Sequence, residues 1–419
     1  MTAGMSHTRK RYSPLRLSVR LLGTMAVTAA WSVAFAGVAP SAVADDVQSK
    51  QWYLELMHAD EMWKTTTGEG IKVAVIDTGV NSSTASLKGQ VVKGLDATGA
   101  KGDETDDYNG HGTTMAELIA GTGQGGGLKG LAPGAKIIPM RVADGDWQTK
   151  ESLNSLDTVD AIRAAADSDA KIISMSFGND FKLDKEIEAV KYAQSKGKLF
   201  FAAVGNKAEE GAKPAYPAAY PEVVGVAATD RDGKASDYSQ HGDFVDIAGP
   251  GDDLPRWCDE KFERYCQADG GTSAATAITS AAAALIWSAH PKWTANQVLN
   301  VLFDTAGRGD WEKGTLNDYL GHGVIRPAVN ILKGTGDPGD PDISPLTNEK
   351  TAGSTASPAA SASASSQPGK KDKADDAAMA GSSTEKDDDS QLGLILGGVA
   401  VLLVLGGAAF VFVRKRRTA

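Results

Sequence analysis

IKVAVID, residues 71–77, is the stretch on which the fold turns. Its apolar residues are consecutive and largely β-branched, so the strand it forms has both faces buried. Four runs of the same character follow: AKIIPMRV (135–142), AKIISMSF (170–177), KLFFAAVG (198–205) and VVGVAATD (223–230). Between and after them stand helix-like segments: HGTTMAELIAG (111–121), LNSLDTVDAIRAAADS (153–168), LDKEIEAVKYAQSKG (183–197), SAATAITSAAAALIWSAH (273–290) and TANQVLNVLFDTA (294–306). Buried strands alternating with helices predict an α/β fold with a mostly parallel central sheet, helices on both faces and three layers in all. In such a sheet the chemistry sits beyond the carboxyl ends of the strands. The first strand ends on an acid, Asp77.

The segments flanking this body read as targeting and anchoring elements. A basic head (Arg9, Lys10, Arg11, Arg16, Arg20), the apolar LLGTMAVTAAWSVAFAGVA and the small-x-small site Ala42-Val43-Ala44 predict a signal peptide over 1–44, read as cleaved rather than retained as an anchor. At the other end LGLILGGVAVLLVLGGAAFVFV, residues 392–413, is uncharged and long enough to span a bilayer. Arg414-Lys415-Arg416-Arg417 follow it, so the tail 414–419 is expected in the cytoplasm and the body outside, a single-pass type I arrangement at the cell membrane. Residues 334–391, rich in Gly, Pro, Asp, Ser and Ala, predict a disordered linker between the body (45–333) and the span. A formal net charge of −10 and the lack of a basic patch interleaved with aromatics argue against nucleic acid as a partner. The only cysteines, Cys258 and Cys266, are close together, and outside the membrane they read as a disulfide rather than two free thiols.

Four residues at element ends could carry chemistry. Asp77 is followed by Thr78-Gly79, which also raises an aspartic protease; that mechanism needs two carboxylates sharing a proton, and no second such triplet exists. His111 opens a helix between two glycines, whereas His58, His241, His290 and His322 read as surface or capping residues. Ser273 follows Gly270-Gly271-Thr272 at the head of the Ala-rich helix, where it reads as a helix cap or as a nucleophile beside backbone N–H groups. Asn206 ends the strand FFAAVGN, where it is an oxyanion donor or an asparagine in a left-handed turn. Their chain order, acid, base, amide and serine, places Asp before His before Ser, one of the three known orders of the serine-protease triad.

In that order, VAVIDTGV, NGHGTTMAELIAG, AAVGN and GTSAATA resemble the blocks of the subtilisin-like serine proteases. The resemblance covers nearly the whole body and implies a subtilisin-like fold. It implies a triad of Asp77, His111 and Ser273, with Asn206 and the Ser273 N–H holding the oxyanion. It further implies a substrate-pairing strand at Ser176, Phe177 and Gly178, and pocket walls from Ala202, Ala203, Val204 and Tyr216. Within the family the signal, tether, single span and basic tail resemble the mycosin group. That likeness implies a protein or peptide substrate and a type VII secretion membrane complex as partner, with a mainly structural, scaffolding role as the alternative.

The sequence departs from the family at several places. Ala274 and Ala277 stand where a bulky residue and a proline are usual. The loop GTGQGGGLKGLAPGA (121–135) lacks the Asn and Asp side chains with which secreted relatives bind calcium there, so no cofactor and no metal are expected. The acidic run Asp103, Glu104, Asp106 and Asp107 reads as a solvated loop rather than a cation site. The short stretch between Ala44 and Asp77 leaves no room for a long folding pro-domain.

Overall fold

The computed structural model describes residues 47–143, 147, 156–211, 213–267 and 270–351. The expected signal peptide and the expected span at 392–413 lie outside the described residues.

Two short helices, α1 (Trp52–Leu56) and α2 (Ala59–Met62), lead into β1 (Lys72–Asp77) and the brief β2 (Leu95–Asp96). Then follow α3 (His111–Ala120), β3 (Lys136–Arg141), α4 (Asp157–Asp167), β4 (Ile172–Met175), α5 (Asp184–Ser195), β5 (Leu199–Ala203), β6 (Val224–Thr229) and β7 (Ile247–Pro250). A small hairpin, β8 (Pro255–Trp257) and β9 (Tyr265–Gln267), precedes α6 (Thr272–Ala289), α7 (Ala295–Thr305) and α8 (Pro327–Lys333). The first seven strands form one sheet in the order β2-β3-β1-β4-β5-β6-β7, every pairing parallel.

Side-chain alternation along β1 shows how the layers are made. Val73 and Val75 join the core under α3, α6 and α7, whereas Ala74 and Ile76 join the one under α4 and α5. The strand order reverses at β1, which pairs with β3 on one side and β4 on the other. Such a switch point opens a crevice at the strands' carboxyl ends, and Asp77 is placed there.

Helix α6 is apolar and 18 residues long, enough by length and composition to cross a membrane; its core window is 83% buried, so it is the central helix of the body. Ala277, at the position where the family resemblance leads one to expect a proline, is fully buried within this regular helix. Small side chains let α6 lie close to both the sheet and α3.

The folded body runs past Lys333, where composition alone placed the start of the linker. Thr294 Oγ1 and Asn296 Nδ2 donate to Pro341 O at 3.0 and 2.9 Å, and Asn300 Nδ2 donates to Pro338 O at 3.1 Å. Residues 334–351 are thus pinned along α7 by side chains that satisfy their carbonyls, an interaction composition does not encode.

Candidate active site

The crevice beyond β1, β4 and β5 is a cavity of about 360 Å³ lined by Asp77, His111, Ser176, Asn206 and Ser273, among others. Residues from five separate segments converge there.

Asp77 is fully buried, and its Oδ1 accepts hydrogen bonds from His111 Nδ1 at 2.7 Å and from the Thr78 N–H at 2.8 Å. A donor at Nδ1 fixes the imidazole tautomer, leaving Nε2 as the acceptor. The His111 side chain is about one-third exposed. Burial disfavours the imidazolium, and Arg256 adds a weaker repulsion; the charge and hydrogen bond of Asp77, helped by Asp107, outweigh both, so the His111 pKa is raised.

Asp107 corrects the sequence reading of its loop. Asp103 and Asp106 are solvated, but Asp107 is buried. Its Oδ1 accepts from Thr78 Oγ1 (2.7 Å), Gly110 N (2.9 Å) and Asn109 N (3.0 Å), and its Oδ2 from Thr113 N (2.9 Å) and Thr113 Oγ1 (2.6 Å). Thr78 Oγ1 in turn accepts from Gly112 N at 3.0 Å. One carboxylate therefore ties the residue after Asp77 to the first turn of the His111 helix, whose positive end favours it.

Ser273 is not the cap of α6. The N-cap is Gly271, with no side-chain capping bond, and Ser273 lies inside the first turn. Its Oγ donates across the crevice to Ser176 O at 2.6 Å, while Ser176 Oγ returns a bond to Ser273 O at 3.1 Å. Among the described residues it makes no hydrogen bond to His111, a common state of unliganded sites.

Asn206 Oδ1 accepts from Thr272 N and Thr272 Oγ1, both at 2.8 Å. Because those partners include a backbone donor, the amide's orientation is decided and Nδ2 is left for the crevice. A Cβ built on Gly271 would sit 3.7 Å from Asn206 Nδ2 and 3.8 Å from Ser273 N. Two N–H donors thus face one small space that the missing side chain keeps open, as an oxyanion requires.

The expected substrate-binding residues divide. Ser176, Phe177, Gly178 and Ala203 line the cavity. Ala202 and Val204 do not: alternation along β5 turns them into the core with α4 and α5. Tyr216 also stands behind the wall, its backbone bridged to Asn179 and its ring 4.9 Å from that of Tyr220. Gly205, Ala215 and Gln240 take their places.

Cys258 and Cys266 form a disulfide closing the β8–β9 hairpin, with their Cα atoms 5.1 Å apart. In the loop 121–135 backbone carbonyls accept from protein side chains: Gln48 Nε2 donates to Gly123 O (2.8 Å) and Gly127 O (2.9 Å), and Ser86 Oγ to Leu128 O. Of the remaining histidines, His322 is partly buried. It stacks on Phe303 at 4.0 Å, and burial, with Arg308 nearby, lowers its pKa to about 4.

The sequence profile of the subtilase family matches residues 68–323. The chain belongs to the subtilase family. Thermitase from Thermoactinomyces vulgaris is 34% identical over 283 residues, covering 65% of this chain and 95% of that protein. The major intracellular serine protease of Bacillus subtilis is 35% identical over 251 residues, 58% of this chain and 76% of that protein. Among solved structures, MycP1 from the ESX-1 type VII secretion system superposes with a TM-score of 0.58 at 26% identity, covering 70% of this chain and 88% of its own. MycP3 from the type VII (ESX-3) secretion system gives 0.54 at 27%, covering 70% and 89%. This subtilase is therefore a serine endopeptidase with mycosin-like structural neighbours.

Proposed function

We propose that the chain is a membrane-anchored extracellular endopeptidase that cuts peptide bonds with the triad Asp77–His111–Ser273 and works beside a type VII secretion complex. The observation that carries the catalytic part is the 2.7 Å Asp77–His111 hydrogen bond, in one crevice with Ser273 and the paired donors of Asn206 and Ser273.

A substrate chain lies along Ser176–Gly178 as an added strand. Ser273 Oγ turns from Ser176 O to His111 Nε2, gives up its proton there and attacks the scissile carbonyl carbon. The oxyanion settles between Asn206 Nδ2 and the Ser273 N–H. Asp77 stabilises the imidazolium, which then protonates the leaving amine, and water hydrolyses the acyl-serine by the same route in reverse. Anchoring rests on the apolar run 392–413 and its basic tail; the secretion role rests on the likeness to MycP1 and MycP3.

A fluorophosphonate should label the full-length protein at Ser273, with Ser273→Ala as the control. Absence of labelling in a folded sample overturns the catalytic reading. Secretion that persists unchanged in cells carrying Ser273→Ala overturns processing as its role; collapse only on deletion of the whole protein favours a scaffold.

A further inference from the structure

The β8–β9 hairpin packs against the helix that carries His111. Trp257 N donates to Thr114 Oγ1 at 3.1 Å, one turn into α3. At the N-cap Gly110, a Cβ would come within 2.9 Å of Asp259 O and 3.2 Å of Trp257 Cβ. The hairpin is stiff for its size. Trp257 stacks on Tyr265 at 3.9 Å, Phe262 meets its edge at 5.5 Å, and the Cys258–Cys266 disulfide closes the turn.

Arg256 stands in the middle of this platform. Its neighbours Pro255 and Trp257 are buried, so alternation turns Arg256 to the exposed face, opposite Cys266 in the pairing register. Among the described residues its guanidinium makes no hydrogen bond and no ion pair, so its donor fork is free to take up a planar acceptor. The hairpin that carries it abuts Gly110, the residue before His111, and the Arg256 charge weakly disfavours the imidazolium, against the pull of Asp77 and Asp107. The other charges on the hairpin are Asp259, Glu260, Lys261, Glu263 and Arg264, which lie in the turn or on β9's approach.

We propose that Arg256 is a specificity-determining residue of the leaving-group side, selecting substrates with a carboxylate in the first few residues beyond the scissile bond. The inference rests on the endopeptidase reading above. The acyl half of the substrate follows Ser176–Gly178, on the β4 side of Ser273. The leaving amine takes its proton from His111, so the chain beyond the cut runs past His111 and over the hairpin. There it meets an exposed cation whose hydrogen-bond donors are uncommitted. A carboxylate suits the planar guanidinium fork better than any neutral side chain.

The test uses full-length protein and internally quenched peptides matched except for Asp or Asn at each of the first positions beyond the cut. Active sites are titrated with fluorophosphonate, so every ratio is read per active site. At low salt the wild type should cleave the Asp peptide about two- to fivefold better in kcat/KM at one of these positions, the range an exposed ion pair supports. The preference should fade in about 0.5 M salt. Arg256→Lys should keep part of it, Arg256→Gln should bring the ratio to unity, and Arg256→Glu should invert it. On a neutral peptide, Arg256→Gln should also move the acid limb of kcat/KM to higher pH, because repulsion of the imidazolium is removed. A merely structural role for Arg256 predicts neither effect. An Asp-to-Asn ratio of one in the wild type, or one unchanged in Arg256→Gln, overturns the inference while leaving the endopeptidase standing. A protein that neither labels nor cleaves overturns the reading beneath it.

Discussion

Glu117 offers a quantitative test of how the His111 helix is held. It lies on α3 about two turns beyond His111 and is fully buried. Its Oε1 accepts from Thr84 Oγ1 and its Oε2 from Tyr265 OH, each at 2.8 Å, and the Trp257 indole adds a weaker pull without reaching hydrogen-bond geometry. Burial outweighs these donors and raises the carboxyl pKa from 4.5 to about 7. The folded state therefore binds this proton more tightly than the unfolded chain. The associated stability is fully present below pH 4.5 and is lost as the pH rises to about 7. A shift of that size corresponds to about 3 kcal/mol lost at alkaline pH. Glu117→Gln keeps an acceptor and the side chain's shape but cannot ionise. In full-length protein carrying Ser273→Ala, which prevents self-digestion, it should melt about 5 °C higher than its parent at pH 8 and nearly level with it at pH 4.5. Intrinsic tryptophan fluorescence during heating reads both. A difference in Tm that does not vary with pH, or a Gln variant less stable at pH 8, would refute the assignment of a costly buried charge.

Gly271→Ala should fold normally, since its φ of 177° is open to any residue and its Cβ meets nothing closer than 3.7 Å. Yet the methyl fills the space between the two oxyanion donors, so kcat on peptides should fall on the order of a hundred- to a thousandfold; near-normal turnover contradicts the placement. Asp107→Asn leaves backbone and hydroxyl donors of the His111 turn facing an amide. It should lower Tm by the equivalent of about 1–3 kcal/mol and shift the acid limb of kcat/KM to lower pH, because Asp107 raises the His111 pKa. Cys258→Ser opens the hairpin loop and should cost roughly 2–3 kcal/mol of stability in the chain-entropy model; an unchanged Tm and unchanged activity argue against the staple.

The sequence carried the sheet's centre and the crevice residues because each lies in a run with a strong local signal. β1, β3, β4, β5 and β6 are apolar stretches, and Asp77, His111, Asn206 and Ser273 sit where such stretches or helices end. β7, with Gly249 and Pro250, and the two-residue β2 carry no such signal, and only their neighbours make them strands. Asp107 was obscured by its acidic neighbours; its burial depends on Thr78 and Thr113 being brought to it. The family resemblance puts Ala202, Ala203 and Val204 on the pocket wall as one block, whereas only Ala203 shares the crevice side of β5. The order of residues 334–351 was hidden for the same reason, since it depends on amides and a hydroxyl of α7 and its N-cap.

Helix α3 joins these observations. At its first turn a carboxylate outside the helix, Asp107, gathers five hydrogen bonds and sets the angle at which His111 meets Asp77. Two turns on, a carboxylate inside the fold, Glu117, receives only two hydroxyl donors and burial drives it toward the neutral form. One of those donors, Tyr265, belongs to the hairpin that presents Arg256, so the same helix positions the base and braces the wall over which the leaving group passes. Ionising Glu117 adds charge to an apolar layer beneath that wall without touching the crevice. Stability should therefore respond to pH through Glu117, whereas the leaving-side preference depends on the Arg256 side chain. The Glu117 contribution is lost between pH 4.5 and about 7. Measuring the Asp-to-Asn ratio in Glu117→Gln with Ser273 intact, against the wild type as parent, separates the two. A ratio equal to the parent's is expected, because the bracing survives in the amide; a ratio that falls to one would mean that the hairpin's position, and not the Arg256 charge alone, sets the preference.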